Sequence, residues 1–231
     1  MSNYKHVFFD LDHTLWDYDA NATDSLYELY ERYDFYSLGV FGKSDLARTF
    51  FEVNYELWDL YNEHKIHRAD IRKRRFPAIF ERLGAMVEDM PKNLETEYVA
   101  LCPTKDKTFK HAHAVLDYLS GKYNLHVITN GFDDIQETKL KSSGIRAYFD
   151  VIVTSETANN RKPSKEIFEL ALNLSNAQVQ ESIMIGDNLG SDIQGAINVG
   201  MDHVWFNPHG TKTDKPIQHE IENLLQLKTI L

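Results

Sequence analysis

Stapling by an internal disulfide is closed to this chain. With Cys102 its one cysteine in 231 residues, no intrachain bridge can form, and stability must come from a hydrophobic core, which a chain of this length can bury. A lone thiol fits a reducing compartment. Cys102 lies between Leu101 and Pro103, at an expected helix end, with no basic neighbour to activate it, and reads as a structural thiol. Positive charge is also scarce. Twenty-five Lys and Arg stand against 35 Asp and Glu, a net charge of −10, which argues against a nucleic-acid polymer or an anionic membrane as partner. The one basic run, Arg72 to Arg75, stops at Phe76 and Pro77 and reads mainly as a solvated helix face, with contact to an anionic substrate as the other reading. Long hydrophobic runs are missing too, and no stretch approaches a membrane span. The N-terminus passes through Asn3 and Lys5 into an apolar segment broken by Asp10, without the shape of a signal peptide. A soluble, cytoplasmic protein is expected.

What is present is a recurring pattern of short apolar runs that end in polar loops. Val7, Phe8 and Phe9 run into Asp10-Leu11-Asp12-His13-Thr14, the signature of a buried strand meeting a loop. Leu125 to Thr129, Val151 to Thr154, Ser182 to Ile185 and His203 to Phe206 have the same form. Helical periodicity falls between them, over Thr108 to Leu119, Asp134 to Ser143, Ser164 to Leu172 and Ser191 to Val199, with Gly144 and Gly200 as stop signals. Such alternation predicts an α/β fold, a doubly wound parallel sheet covered on both faces, with ligands at the carboxyl ends of the strands.

One block departs from the alternation. From about Ala20 to Leu101 the pattern is helical throughout, in segments Thr23 to Tyr33, Ser44 to His64, Ala69 to Leu83 and Pro91 to Leu101. This predicts an all-helical insert after the first strand, forming a cap over the active edge. The expected division is a core of residues 1–18 and 103–231 and a cap of residues 19–102. The cap's aromatics, among them Tyr27, Tyr30, Phe50, Phe51, Tyr55, Trp58, Tyr61, Phe76 and Phe80, read mostly as its own packing.

Two carboxylates one residue apart at a strand end, Asp10 and Asp12, repel unless a cation or proton intervenes; the plainer reading is an Asp-rich turn or helix cap. Asp187 closes Ile183-Met184-Ile185-Gly186, and Asp192 follows five residues later. Asp10, Asp187 and a backbone carbonyl suit the hard-oxygen site that Mg²⁺ prefers, with Asp192 as a further ligand, an orienting residue or a helix cap. Asp12 stands as a fourth candidate beside them. For a bound phosphate, Thr129 and the amides of Asn130 and Gly131 offer donors and Lys162 a compact positive charge. Histidines do not suggest zinc: His111 and His113 would face different sides of a helix, and His64 and His67 lack nearby cysteines.

Taken in order, these pieces resemble the haloacid dehalogenase superfamily. Asp10-Leu11-Asp12-His13-Thr14 is similar to its D-x-D-x-T motif, the strand ending in Thr129-Asn130-Gly131 to its second motif, Lys162-Pro163 to its third, and Gly186-Asp187 followed by Asp192 to its fourth. The helical block resembles a C1 cap on a Rossmann-like core. The resemblance implies a Mg²⁺-dependent phosphatase for a small phosphorylated metabolite, with Asp10 as nucleophile forming an aspartyl-phosphate and Asp12 as acid and base. Thr129 and Lys162 would complete the catalytic set. Dehalogenases of the superfamily lack the second aspartate; phosphomutases keep it. Receiver domains gather similar groups but in a different order, and a non-catalytic binding role on the same scaffold is the other alternative. Trp16-Asp17-Tyr18-Asp19 and the loop Gly186 to Asp192 look similar to the noncanonical pyrimidine 5′-nucleotidase branch. Two positions depart from the motifs. His13 stands where glycine is frequent, so the loop is expected to do without glycine's backbone freedom. Ser191 stands where Asn is frequent, leaving that loop's hydrogen bonding open.

Overall fold

The computed structural model describes residues 4–231. The chain divides into two compact units, one of Met1–Tyr18 with Asp106–Leu231 and one of Asp19–Lys105.

The first unit is built on a parallel sheet: β1 (His6–Phe9), β2 (Asn124–Thr129), β3 (Phe149–Thr154), β4 (Ser182–Gly186), β5 (Asp202–Phe206) and β6 (His219–Ile221), in the order β3-β2-β1-β4-β5-β6. Every residue of β1 and β4 is buried, which is why these strands read as continuous apolar runs rather than alternating ones. The sixth strand has no counterpart in the sequence pattern. His219-Glu220-Ile221 holds one apolar side chain between polar ones, and it is paired only because Val204 to Phe206 of β5 supply a parallel edge.

The helices of this unit are α5 (Ala112–Ser120), α6 (Asp133–Ser142), α7 (Lys165–Leu174) and α8 (Gln194–Val199), the last continuing a π-helical turn at Leu189–Ile193. Helix α5 begins four residues later than the periodicity predicts. Thr108 pairs with Trp16, the Phe109 amide donates to the Leu15 carbonyl, and His111 is left-handed at φ 73°, so the chain up to Lys110 is held in another conformation. His111 therefore precedes the helix rather than lying on it. Gly144 and Gly200 take φ of 70° and 73° after α6 and α8, the left-handed stop in which glycine carries no Cβ penalty. Phe8, Ile128, Val153, Ile167, Phe168 and Met184 form the core between sheet and helices.

The second unit contains α1 (Tyr18–Arg32), α2 (Lys43–Asn62), α3 (Arg68–Arg82) and α4 (Leu94–Leu101); α1 starts at the boundary residue. Phe50, Phe76 and Phe80 are fully buried, Tyr30 and Tyr61 nearly so, whereas Tyr55 is exposed. Arg75 corrects the reading of Arg72 to Arg75 as a solvated face. Its guanidinium is buried, donates to Asn54 at 2.9 Å and to Glu95 at 2.5 Å, and lies 4.7 Å from the Tyr98 ring centre. A planar guanidinium can be paired at its edge and stacked on its face at once, which makes burial tolerable. No helix is long and apolar enough to cross a membrane among the described residues.

Candidate active site

Strand order makes the site. β1 lies between β2 and β4, where connections leave in opposite directions, and loops at such a switch point leave a crevice beyond the strand ends. Asp10 follows β1 directly and its amide donates to the Ile185 carbonyl of β4 at 2.9 Å. The next loop turns tightly: the Leu15 and Trp16 amides both donate to the Leu11 carbonyl, and His13 sits at φ 66°. His13 thus adopts the left-handed conformation itself, contrary to the expectation that a residue with a Cβ would deny it to the loop. Its ring packs 5.2 Å from that of Tyr18.

From β4 comes Asp187, and then a loop folded around Asp192. The Asn188 side chain accepts from the Gly190 and Ser191 amides at 2.9 and 3.0 Å. Asp192 accepts from the Asn188 amide at 3.0 Å and from the Ser191 hydroxyl at 3.2 Å, which answers what serine does at that position. Gly186 makes the fit: a Cβ there would lie 2.3 Å from an Asp192 oxygen and 2.5 Å from its Cβ.

Asp10, Asp187 and Asp192 each offer an oxygen within 4.8 Å of the others. Lys162 enters this group from the loop after β3, its Nζ 2.5 Å from Asp10 Oδ1, 2.7 Å from Asp192 Oδ1 and 2.7 Å from the Ile128 carbonyl. Burial pushes the Asp10 carboxyl up to about 7, against the pull of Lys162, and the charge of Asp192 adds to the rise. Asp187 is likewise raised well above the carboxylate range, by burial first and then by Asp192 and Asp10. Burial opposes the charge on Lys162, but Asp10 and Asp192 together outweigh it and hold the ammonium. One cation thus faces three carboxylates, of which Asp10 and Asp192 are buried and Asp187 partly so, and all-oxygen donors short of positive charge suit a hard divalent cation.

β2 ends at Thr129, which is buried. The Gly131 amide donates to the Thr129 hydroxyl at 3.0 Å, so in this structure that amide is engaged within the loop instead of pointing to a ligand. The Asn130 side chain accepts from the Lys162 amide at 2.8 Å and donates to the Lys162 carbonyl at 3.1 Å. It therefore fixes the backbone from which Lys162 reaches Asp10.

The Asp12 carboxylate stands apart from the three-carboxylate group. Both of its oxygens accept from Lys139 of α6, at 2.7 and 2.8 Å. Four residues of the surroundings were given no role by the sequence, although Thr14 closes the D-x-D-x-T motif. Thr14 donates to Asp187 at 3.1 Å and accepts from the Asp187 amide; Trp205 donates to the Asp187 carbonyl at 2.7 Å; Ser155 donates to the Asn130 carbonyl at 3.0 Å; and Lys139 holds Asp12. A signal for Lys139 existed. Gln136, Lys139 and Leu140 share the buried face of α6, and two polar residues on the inward stripe of an amphipathic helix call for a partner.

Residues 7–206 match the family model described as haloacid dehalogenase-like hydrolase. The chain is a haloacid dehalogenase-like hydrolase. Two relatives are each 32% identical to this hydrolase: the pyrimidine 5′-nucleotidase PynA of Streptococcus pneumoniae, over 89% of this chain and 85% of that protein, and the pyrimidine 5′-nucleotidase YjjG of Escherichia coli, over 95% and 96%. Among solved structures, the hydrolase is similar to the putative HAD-hydrolase YfnB of Bacillus subtilis, crystallised with magnesium, at a TM-score of 0.87 and 26% identity over 98% of both chains.

Proposed function

We propose that this hydrolase cleaves phosphate monoesters through an aspartyl-phosphate on Asp10. The observation that carries the reading is the contact of Lys162 with Asp10 inside a group of three carboxylates at the switch point of the sheet. A nucleophilic carboxylate must be ionised yet little solvated, and Lys162 supplies the charge that makes this compatible with burial. An Asp10 oxygen attacks phosphorus while the bond to the alcohol oxygen breaks, and that oxygen takes a proton from Asp12. Water then attacks the same phosphorus, gives a proton to Asp12, and releases phosphate and the Asp10 carboxylate. Thr129, the Asn130 amide and Lys162 are assigned the phosphate oxygens, with Gly131 shaping the turn. Asp10 and Asp187 with a backbone carbonyl would hold Mg²⁺, which when bound offsets charge on the phosphoryl group. Asp192, already shared among Lys162, Asn188 and Ser191, orients the set.

Residues 19–102 are assigned as a C1-type cap, the part of such a protein in which substrate choice resides. Nucleoside 5′-monophosphates with pyrimidine bases are the proposed substrates, supported by the names of two relatives that align with most of the chain. The test is a screen with and without Mg²⁺ across pyrimidine and purine nucleoside monophosphates, phosphoglycolate and sugar phosphates, with Asp10→Asn as control. Preference for pyrimidine nucleotides supports the full reading, and equal turnover of all esters removes the nucleotidase assignment. Unchanged turnover in Asp10→Asn, or a long-lived phosphoenzyme that never releases phosphate, overturns the mechanism.

A further inference from the structure

Lys139 is a buried lysine outside the motif set. Its side chain is 3% exposed while that of its partner Asp12 is 23% exposed. The ammonium lies between the Asp12 carboxylate, at 2.7 and 2.8 Å, and the Trp16 ring, whose centre is 4.5 Å away. Asp12 and Trp16 bridge each other across the loop that follows β1. One side chain therefore contacts both ends of the turn from Asp12 to Trp16. Burying a lysine is costly even when it is paired, and an apolar residue on α6 would serve packing alone at less cost. Direct capture of substrate charge is a poor explanation, because the ammonium sits behind Asp12, which is the more exposed partner.

We propose that Lys139 is a positioning residue that fixes the Asp12 carboxyl for proton exchange. This rests on the reading of Asp12 as acid and base. With both oxygens held by one ammonium, the carboxylate loses its freedom to swing into the three-carboxylate group. When Asp12 carries a proton, one oxygen keeps the lysine and the other presents the O–H outward. The proton leaves to the alcohol oxygen as the phosphorus–oxygen bond breaks, and a proton from water replaces it in the second step. The same clamp serves both.

Leaving groups separate this role from a structural one. A nucleoside 5′-monophosphate must release an alcohol that needs the proton, whereas p-nitrophenyl phosphate releases a stable anion that does not. Alcohol release in the first turnover is measured by rapid quench at saturating Mg²⁺ for Lys139→Met, Lys139→Arg, Asp12→Asn and Lys139→Met with Asp12→Asn. The proposal expects Lys139→Met to slow the nucleotide about 100-fold, a typical general-acid contribution, and p-nitrophenyl phosphate less than about threefold. Lys139→Arg restores most of the loss, and adding Lys139→Met to Asp12→Asn changes nothing further. Equal slowing of both esters, no slowing, or additive losses in the double variant overturns the proposal. If Asp12→Asn itself fails to discriminate between the esters, the reading of Asp12 falls, and the role of Lys139 with it. If Asp12→Asn discriminates and Lys139→Met does not, the role of Lys139 alone falls. Lys139→Gln, which keeps a donor without the charge, provides the same comparison should the methionine variant not fold.

Discussion

Lys162 Nζ lies 2.5 Å from Asp10 Oδ1, and both residues are buried. Removing the cation leaves Asp10 and Asp192 facing each other without it. Lys162→Met is expected to lower kcat/KM at least about 100-fold, the scale for losing one preorganised charge at a reacting centre. Removing one partner of a buried pair costs about 3–5 kcal/mol, so the urea midpoint of the metal-free protein should fall as well. Activity within threefold of the parent would exclude a role for Lys162 at the phosphoryl group.

Cation binding to this hydrolase should be linked to protons. Burial and mutual repulsion raise both Asp10 and Asp187, Asp10 to about 7, so each holds its proton to higher pH than an ordinary carboxyl. A divalent cation must displace those protons. Calorimetric titration with Mg²⁺ is therefore expected to show tighter binding at pH 8 than at pH 6, with protons released to the buffer. Asp187→Asn should weaken binding at least about tenfold, given that it removes a proposed direct ligand. Affinity that is the same at the two pH values would contradict the raised carboxyls.

Gly186 is required by the place of Asp192 rather than by a turn. A Cβ at 186 would lie 2.3–2.5 Å from three Asp192 atoms. Asp192 cannot yield without giving up Lys162, the Asn188 amide or the Ser191 hydroxyl. Gly186→Ala is expected to destabilise by about 1–3 kcal/mol, the range for overpacking, and to reduce kcat. Thermal unfolding and turnover measured together check this; a variant with the parent's stability would show that the loop can shift freely.

Away from the site, His6 at the start of β1 and His126 within β2 share a hydrogen bond of 3.0 Å between ring nitrogens. Burial pushes His126 down to about 4 and also lowers His6. The folded state therefore binds fewer protons than the unfolded chain between about pH 6.5 and 4. Its stability is fully present above pH 6.5 and is lost as pH falls through this window. A neutral pair can share one proton, whereas two imidazolium rings have no acceptor between them. The loss attributable to His126 should be on the order of 2 kcal/mol. Denaturant titrations at pH 7 and 4.5 should show that His126→Leu flattens the decline, and an unaltered slope would assign the acid sensitivity to other groups.

Much of this protein can be read from the order of its residues, because a parallel sheet buried on both faces needs apolar strands, and the loops after them are then conspicuous by their polarity. Val7 to Phe9, Leu125 to Thr129 and Ser182 to Ile185 announce themselves in this way, and Asp10, Thr129 and Asp187 stand at their ends. The α/β class, the helical insert and the family follow from local patterns of that kind. Tertiary structure decided what those patterns cannot contain. The strand order that sets β1 between β2 and β4 is a long-range choice, and it alone brings Asp10, Asp187 and Asp192 within reach of one another. His13 could take its left-handed turn because Tyr18 packs beside its ring and the surrounding loop holds its backbone. Asp12 was paired with Lys139, 127 residues away in sequence. Charge pairing acts through space over a few ångströms, so a lysine on a later helix carries no mark in its own segment of the aspartate that it will meet.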